Sequence, residues 1–355
     1  MHLLKDGDVK GMTVFLRADL DVPALNGTIE DDTRLLSAIP TIEYILKNNA
    51  KVVIAGHLGR PTGLNYESRI KNQELSLKPV AEWFAKKLSH DSLFTIHDSI
   101  LGGFDGWAIG ANIFLLENLR FNSGEEANDP EFAKSLASLA EIYVNDAFAM
   151  THRNHASIVG ITKFLPHFAG FHLEQEVSNL SEVIENPKRP LVVIVGGKKL
   201  ETKLPLVEKM HRIADYVLVG GKIAQETVIL MKVQHERVPA HGGIIIVADS
   251  NEEKSDITPT DAENFIQIIN KAKTIIWNGS MGIIENEKSS GGTRVIAEAI
   301  LKSGAYSVVG GGDTVEFLNK LGIINKFSFV STGGGAMLSF LSGEKLPGLV
   351  ALEKN

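Results

Sequence analysis

The chain has 355 residues, 44% hydrophobic and 22% charged, which is longer than one hydrophobic core normally holds and too apolar for a disordered segment. Its net charge of -7 disfavours a nucleic-acid binder, so any clusters of Arg and His are local features of an acidic surface. With no cysteine, disulfides, thiolate zinc sites and a cysteine nucleophile are excluded, and no two of the 11 histidines sit four apart with an acidic partner on a helical pattern.

The opening segment, Met1 to Asp8, lacks the apolar stretch of a signal peptide, and no later apolar run is long enough to span a bilayer, so a soluble cytoplasmic protein is expected. From there, β-branched or apolar runs alternate with helical patterns, which predicts α/β architecture with parallel, doubly wound sheets. In the first half the strand-like runs are Val14–Asp19, Val52–His57, Leu93–Asp98, Ile113–Asn118 and Ile142–Asp146, read as buried parallel strands feeding turns. Helical spacing is expected over Thr33–Lys47, Leu77–Leu88 and Pro130–Leu139, the last with proline at an N1-like position. A helix over Leu173–Ile184, followed by the breakers Asn186-Pro187 and Pro190, reads as a hinge between two halves. The expected layout is therefore an N-terminal domain over 1–172, a hinge helix over 173–189 and a C-terminal domain over 190–340, with the tail 341–355 docking back on the first domain. The second half repeats the strand pattern at Leu191–Gly197, Tyr216–Gly221, Ile244–Asp249, Ile275–Gly279, Val308–Asp313 and Phe327–Gly335.

The two halves differ at their strand ends: early ones carry Arg and His, whereas later ones carry Gly and Lys. Asp19 and Asp21, two apart on a strand, would point to one side, either as a solvated strand end or as a rim that accepts hydrogen bonds from a substrate hydroxyl. Gly56-His57-Leu58-Gly59-Arg60-Pro61 lets backbone approach a ligand and supplies a planar guanidinium suited to phosphate or carboxylate. Arg34, Arg120 and Arg153 add cations after separate strands or at helix starts, so a di- or tri-anionic ligand is expected where they converge; His97 reads as an ordinary surface histidine.

In the second half, Lys199 and Lys203 are four apart and would share a helix face, able to grip phosphates, although the run is not a Walker A loop; Lys198 reads as solvated. Gly310-Gly311-Gly312-Asp313-Thr314 and Ser331 to Ala336, with Gly333 and Gly334, each join a strand to an apolar helix. Bare amides at such a helix start favour phosphate. Asp313 there would repel phosphate unless Mg²⁺ lay between, so it is read as a metal–nucleotide contact. Glu285, after Asn278, either accepts from ribose hydroxyls or is an exposed helix-start carboxylate.

The order and combination of these segments, from Arg17–Pro23 through Gly56–Pro61, Leu115–Phe121, Val144–Ser157, Gly196–Lys203, Trp277–Glu285, Gly310–Thr314 and Ser331–Ala336 to Leu346-Pro347-Gly348, resembles the phosphoglycerate kinase family over nearly the whole chain. The resemblance implies two Rossmann-like parallel-sheet domains joined by a hinge helix, and a glycolytic kinase, usually monomeric, that moves a phosphoryl group between 1,3-bisphosphoglycerate and Mg-ADP to give 3-phosphoglycerate and ATP. It implies that Asp19, Asp21, Arg34, His57, Leu58, Gly59, Arg60, Arg120 and Arg153 line the phosphoglycerate site. Lys203, Gly220, Gly221, Asn278, Glu285 and the Gly310–Thr314 turn would hold the nucleotide, with Mg²⁺ reaching Asp313. Arg34, Lys199, Gly333 and Gly334 would surround the transferring phosphoryl, and the two domains would close on it.

The chain departs from the family pattern in several places. Asp21 stands where Asn is usual, Lys198 replaces Ala, Lys222 replaces a Gly after Gly220-Gly221, Ala149-Met150 replaces a Gly-containing turn, and Lys222–Trp277 is shorter than usual. Rival expectations are a kinase of another small carboxylate, prompted by Asp21, and a non-catalytic nucleotide-binding relative, prompted by the short stretch. A NAD-dependent dehydrogenase is disfavoured because no Gly-x-Gly-x-x-Gly follows the first strand of either half.

Overall fold

The computed structural model describes residues 1–25, 27–61, 73–88, 95–198, 200–234 and 242–353. They divide into two compact units, Met1–Gln175 with Lys345–Asn355, and Glu176–Glu344.

In the first unit, β1 (Thr13–Arg17), β2 (Ala24–Leu25), β3 (Thr28–Ile29), α1 (Thr33–Lys47), β4 (Lys51–Ala55), α2 (Lys78–Leu88), β5 (Ile96–Leu101), β6 (Phe104–Ile109), β7 (Ile113–Leu116), α3 (Ser123–Glu126), α4 (Pro130–Ala137), β8 (Ile142–Asn145) and β9 (His167–Ala169) follow in order. The sheet runs β5-β6-β7-β4-β1-β8-β9. Strands β7, β4, β1, β8 and β9 are parallel, so all their C-terminal turns open on one sheet edge. Their apolar runs are buried on both faces against α1 and α2 through Leu35, Ile42, Val80 and Phe84. Asp129 caps α4 by accepting from the Phe132 amide at 2.8 Å, ahead of Pro130 at N1.

One expected parallel strand is corrected. The run Leu93–Asp98 contributes to β5, which starts at Ile96 and pairs antiparallel with β6, itself antiparallel to β7; Leu93 and Phe94 lie outside the described residues. The cause is the two-residue turn Gly102-Gly103, both at positive φ, which folds the chain straight back. Strand β9 and the small β2–β3 hairpin carry no clear pattern in the sequence.

Helix α5 (Phe171–Glu185) contains the boundary between the units. The second unit continues with β10 (Leu191–Val195), α6 (Leu200–Ile213), β11 (Tyr216–Val219), α7 (Ile223–Gln234), β12 (Ile244–Val247), α8 (Pro259–Ile269), β13 (Thr274–Asn278), α9 (Gly291–Ser303), β14 (Tyr306–Gly310), α10 (Gly312–Lys320), β15 (Phe329–Val330) and α11 (Gly334–Leu341). Its sheet order, β12-β11-β10-β13-β14-β15, is all parallel and reads 3-2-1-4-5-6. The strand order reverses between β10 and β13, and in the first unit between β1 and β8. Open α/β sheets bind ligands outside the strand ends at such reversals. The last helix, α12 (Pro347–Ala351), belongs to the first unit and is tied there by the Gly348 amide, which donates to the Thr151 carbonyl at 2.8 Å. No helix among the described residues is long and apolar enough to cross a membrane.

Candidate active site

At the switch point of the first unit, β1 ends at Arg17, so Asp19 and Asp21 lie in the turn beyond it and not on the strand that their spacing suggests. They occupy different environments. Asp19 is 2% exposed, its Oδ2 lies 3.5 Å from Arg34 Nε, and burial pushes its pKa up while Arg34 opposes the shift. Asp21 is half-exposed. Its Oδ1 accepts the Gly59 amide at 2.8 Å and its Oδ2 lies 3.8 Å from both Arg34 Nη1 and His57 Nε2. The Asp21 carbonyl also accepts from Arg34 Nη1 at 2.8 Å, so α1 presents Arg34 to this turn through backbone and side chain together.

The loop after β4 is clamped onto that turn. Gly59 sits at φ +61°, a conformation that favours glycine, and its carbonyl accepts from Arg120 Nη1 at 2.8 Å. Asn118 donates to the Leu58 carbonyl at 2.8 Å and the Leu75 carbonyl at 2.9 Å. His57 and Leu58 are thereby buried, whereas Arg60 is exposed. Arg120 Nε pairs with Glu126 at 3.0 Å. Arg153 is exposed on the turn after β8, near His155. Thus Asp19, Asp21, Arg34, His57, Gly59 and Arg120 come together, and Arg60 and Arg153 stand exposed on neighbouring turns.

Behind this cluster lies a buried layer to whose residues the sequence reading assigns no role. Arg17 is fully buried, and so is Glu125, whose carboxylate accepts the Ser157 hydroxyl at 2.6 Å and the Ser157 amide at 3.0 Å. Burial holds the His57 pKa well below the usual 6.5, with the Arg17 charge adding to it. It also lowers His155 to about 4, again with Arg17 contributing, and lowers His172 despite Asp146. All three are neutral in the fold, whereas the unfolded chain takes up protons below about pH 6.5. Stability is therefore full above that pH and falls as pH drops from about 6.5 toward 4, by at most about 1.4 kcal/mol per histidine per pH unit. Asp19, Glu125 and Asp146, raised by burial, act in the opposite sense, from the ordinary carboxylate range upward. Urea unfolding followed by Trp83 and Trp107 fluorescence should show a lower midpoint at pH 5 than at pH 7; equal midpoints would contradict it.

In the second unit the switch point is built by close backbone approach. Gly197, at φ +92°, donates its amide to the Ser280 carbonyl at 2.8 Å, and a Cβ at Gly196 would collide with the Gly279 and Ser280 carbonyls. Lys203 is buried in the first turn of α6, donating to the Asn278 carbonyl at 3.0 Å and to the Asn278 side-chain oxygen. Thr314 accepts the Gly279 amide at 3.1 Å, linking α10 to the turn after β13. Lys199 lies outside the described residues.

A cavity of about 440 Å³ opens there. Its apolar wall includes Ala248, Ile257, Met281 and Ile283, and its polar rim includes Lys198, Lys222, Lys254, Glu285 and Asp313. Gly221 also lines it, next to the buried Gly220, so the short Lys222–Trp277 stretch still walls a pocket of nucleoside size. Lys198 reaches within 3.8 Å of Glu285, both well exposed. Helix α10 begins after Gly311 (φ +98°) and α11 after Gly333, and neither start carries a side-chain cap. The first amides of α10 and the Gly334 and Gly335 amides of α11 are therefore open to an anion, whereas the Gly333 amide donates to Ser331 Oγ at 3.2 Å. Glu176 accepts the Thr332 amide at 2.7 Å and fixes the turn before Gly333 and Gly334. Gly310 packs against Met337. Asp313, exposed in the first turn of α10, is a hard oxygen donor beside amides suited to phosphate, a donor set that fits Mg²⁺ carried mainly by phosphate oxygens.

Two parallel-dominated sheets, each opening its strand-end turns at a switch point, define a two-unit Rossmann-like α/β protein. The family model described as "Phosphoglycerate kinase" matches residues 4–240 and 229–344, and the seam between the two matches falls inside the short stretch. The cytosolic phosphoglycerate kinase 3 of Arabidopsis thaliana is 37% identical over 399 aligned positions, covering 99% of this chain and 98% of that protein. Among solved structures, phosphoglycerate kinase from Coxiella burnetii superposes with a TM-score of 0.81 at 34% identity, and that from Pyrococcus horikoshii OT3 with 0.80 at 30%, each match covering 99% of this chain and 98% of the other. The chain belongs to the phosphoglycerate kinase family, and it is accordingly a phosphotransferase with a carboxyl group as acceptor.

Proposed function

We propose that this chain transfers a phosphoryl group between 1,3-bisphosphoglycerate and Mg-ADP, with 3-phosphoglycerate bound by the first unit and the nucleotide by the second, in the cytoplasm. The observation that carries the division of labour is the contrast between the two switch points. One gathers Arg34, Arg120 and His57 around the Asp21–Gly59 contact; the other opens an apolar cavity beside uncapped helix starts.

In the ATP-forming direction, a β-phosphate oxygen of ADP attacks the acyl phosphorus. The bond from phosphorus to the carboxyl oxygen breaks, and 3-phosphoglycerate leaves as a carboxylate. An acyl phosphate is already a good donor, so no protein nucleophile is needed and catalysis consists of positioning and charge neutralisation. Arg34 and Lys199 supply cations to the equatorial oxygens, and the Gly334 amide donates to them, with the Gly333 amide exchanging Ser331 Oγ for the ligand. Asp19 and Asp21 hold Arg34 in place, and Asp21 accepts from the glycerate hydroxyl. Lys203 fixes Asn278 at the nucleotide side, and Glu285 accepts from the ribose. Mg²⁺, when bound with the nucleotide through Asp313, neutralises phosphate charge. Because the two ligands bind different units, transfer requires the units to approach and exclude water.

A coupled assay with 3-phosphoglycerate, Mg²⁺ and ATP or GTP tests this reading; turnover with neither nucleotide would overturn it. Arg60→Ala should raise the KM for 3-phosphoglycerate about tenfold, because a charge-assisted contact to the anion is lost, and leave the nucleotide KM unchanged. A loss of nucleotide affinity instead would reverse the assignment of the two units.

A further inference from the structure

His57 is 2% exposed and Arg17 is fully buried, and His57 Nδ1 lies 3.2 Å from Arg17 Nη2. A guanidinium has donors only, with no acceptor and no accessible neutral form. The ring nitrogen that faces it must offer a lone pair, so the single proton of a neutral imidazole resides on Nε2. An imidazolium would set N–H against N–H between two cations.

Arg17 is itself immobilised on every side. Its Nε donates to Ser157 Oγ at 2.8 Å and its Nη1 to the Ala18 carbonyl at 2.5 Å. Ser157 spends its one hydroxyl proton on Glu125 Oε1 at 2.6 Å, which leaves a lone pair for Arg17. The Ser157 backbone is pinned by its amide on Glu125 Oε2 at 3.0 Å and by Tyr143, whose hydroxyl donates to the Ser157 carbonyl at 2.8 Å. A hydrogen-bonded chain therefore links Glu125, Ser157, Arg17 and the imidazole, with Arg17 donating in both directions.

On the other side of the ring, Nε2 is 3.8 Å from Asp21 Oδ2, beyond hydrogen-bond reach. Its proton stays available to a ligand oxygen.

We propose that Arg17 is a positioning residue that locks His57 into the neutral, Nε2-protonated tautomer, so that His57 serves the phosphoglycerate site as an uncharged, pre-aimed hydrogen-bond donor and not as one more cation. The substrate role rests on the function proposed above; the tautomer does not. The surroundings of His57 support the lock: burial opposes its protonation most, the Arg17, Arg120 and Arg34 charges act in the same direction, and only Asp21, 3.8 Å from Nε2, favours it. A neutral donor adds a directional contact whose strength does not vary across the physiological pH range, which a titrating histidine would not provide.

The first test needs no ligand and no variant. Nitrogen-15 NMR of the full chain with labelled imidazoles should show His57 with a bare Nδ1 and a protonated Nε2, unchanged between about pH 5.5 and pH 8. A proton on Nδ1, or a titration centred between about pH 6 and pH 7, overturns the proposal. The second test is Arg17→Met, assayed if its circular dichroism matches the parent. In that variant Nδ1 loses its donor and a neighbouring cation, so His57 should begin to titrate. The KM for 3-phosphoglycerate should then become pH-dependent, changing about three- to tenfold between pH 6 and pH 8, the scale of one hydrogen bond, while kcat moves less than about twofold. A folded Arg17→Met with unaltered His57 resonances and a flat KM profile overturns the lock. If Arg17→Met does not fold, Ser157→Ala, which loosens Arg17 without deleting it, is read in the same way. Failure of the coupled assay with an intact tautomer signature would count against the substrate role alone.

Discussion

Lys199→Ala is expected to lower kcat about 100- to 1000-fold and to leave the KM for 3-phosphoglycerate within about threefold, the pattern of a contact made chiefly in the transition state. The position is bracketed by described structure: β10 ends at Val195, the Gly197 amide is anchored on the Ser280 carbonyl, Lys198 lines the cavity and α6 begins at Leu200. In sequence, Lys199 falls between Lys198, which lines the cavity, and Leu200, which opens α6, and such folds bind phosphoryl groups where a strand gives way to a helix. The sequence suggests a pair of equivalent lysines, but Lys203 is buried on Asn278, so the two cannot do the same work. On the proposed reading, Lys203 fixes Asn278 and Lys199 would meet the charge that develops on the migrating group. Lys199→Arg should recover only part of the loss, because a planar fork does not replace a point charge. Single-turnover measurements separate chemistry from product release; an unchanged rate in Lys199→Ala would remove the residue from the reaction.

Local sequence shows the strands and glycine turns well. Wherever an apolar run meets a Gly, Arg or His cluster in the parallel part of either sheet, a buried strand and a turn at the ligand edge result, because burial on both faces demands continuous apolar residues. The Leu93–Asp98 run misleads because a strand pattern carries no direction; direction is set several residues later by Gly102-Gly103. Strand β9 has three residues and a histidine, too short for any period to register.

The inner layer of the site is illegible for a different reason. Asn118, Glu125 and Ser157 are ordinary polar residues in the chain, and only the fold buries them and turns them toward Gly59 and Arg17. Motif reading finds the groups that face the ligand and passes over those that aim them. Asp19 and Asp21 make the same point: their shared spacing suggests equivalent carboxylates, but one is buried against Arg34 and the other braces the Gly59 amide.

Asp313→Ala is expected to cut kcat/KM for the magnesium nucleotide about 100-fold and to raise the Mg²⁺ concentration needed for half-maximal rate, while binding of nucleotide without metal stays equal or tightens. The helix start at α10 has open amides and no side-chain cap, so the macrodipole there attracts anions. Asp313 in its first turn is itself stabilised by that field, yet it repels any phosphate that settles on the same amides. Only a cation between the two reconciles them, and a hard oxygen donor that supplies one ligand while phosphates supply others matches how Mg²⁺ is usually held. Removing the carboxylate takes away the repulsion and the metal contact together. Affinity for metal-free nucleotide and affinity for its Mg²⁺ complex should therefore move in opposite directions, measured by calorimetry with and without chelator. A parallel loss of both would mean that Asp313 only shapes the helix start, and Asp313→Asn, which keeps the shape and drops the charge, would then behave as the parent.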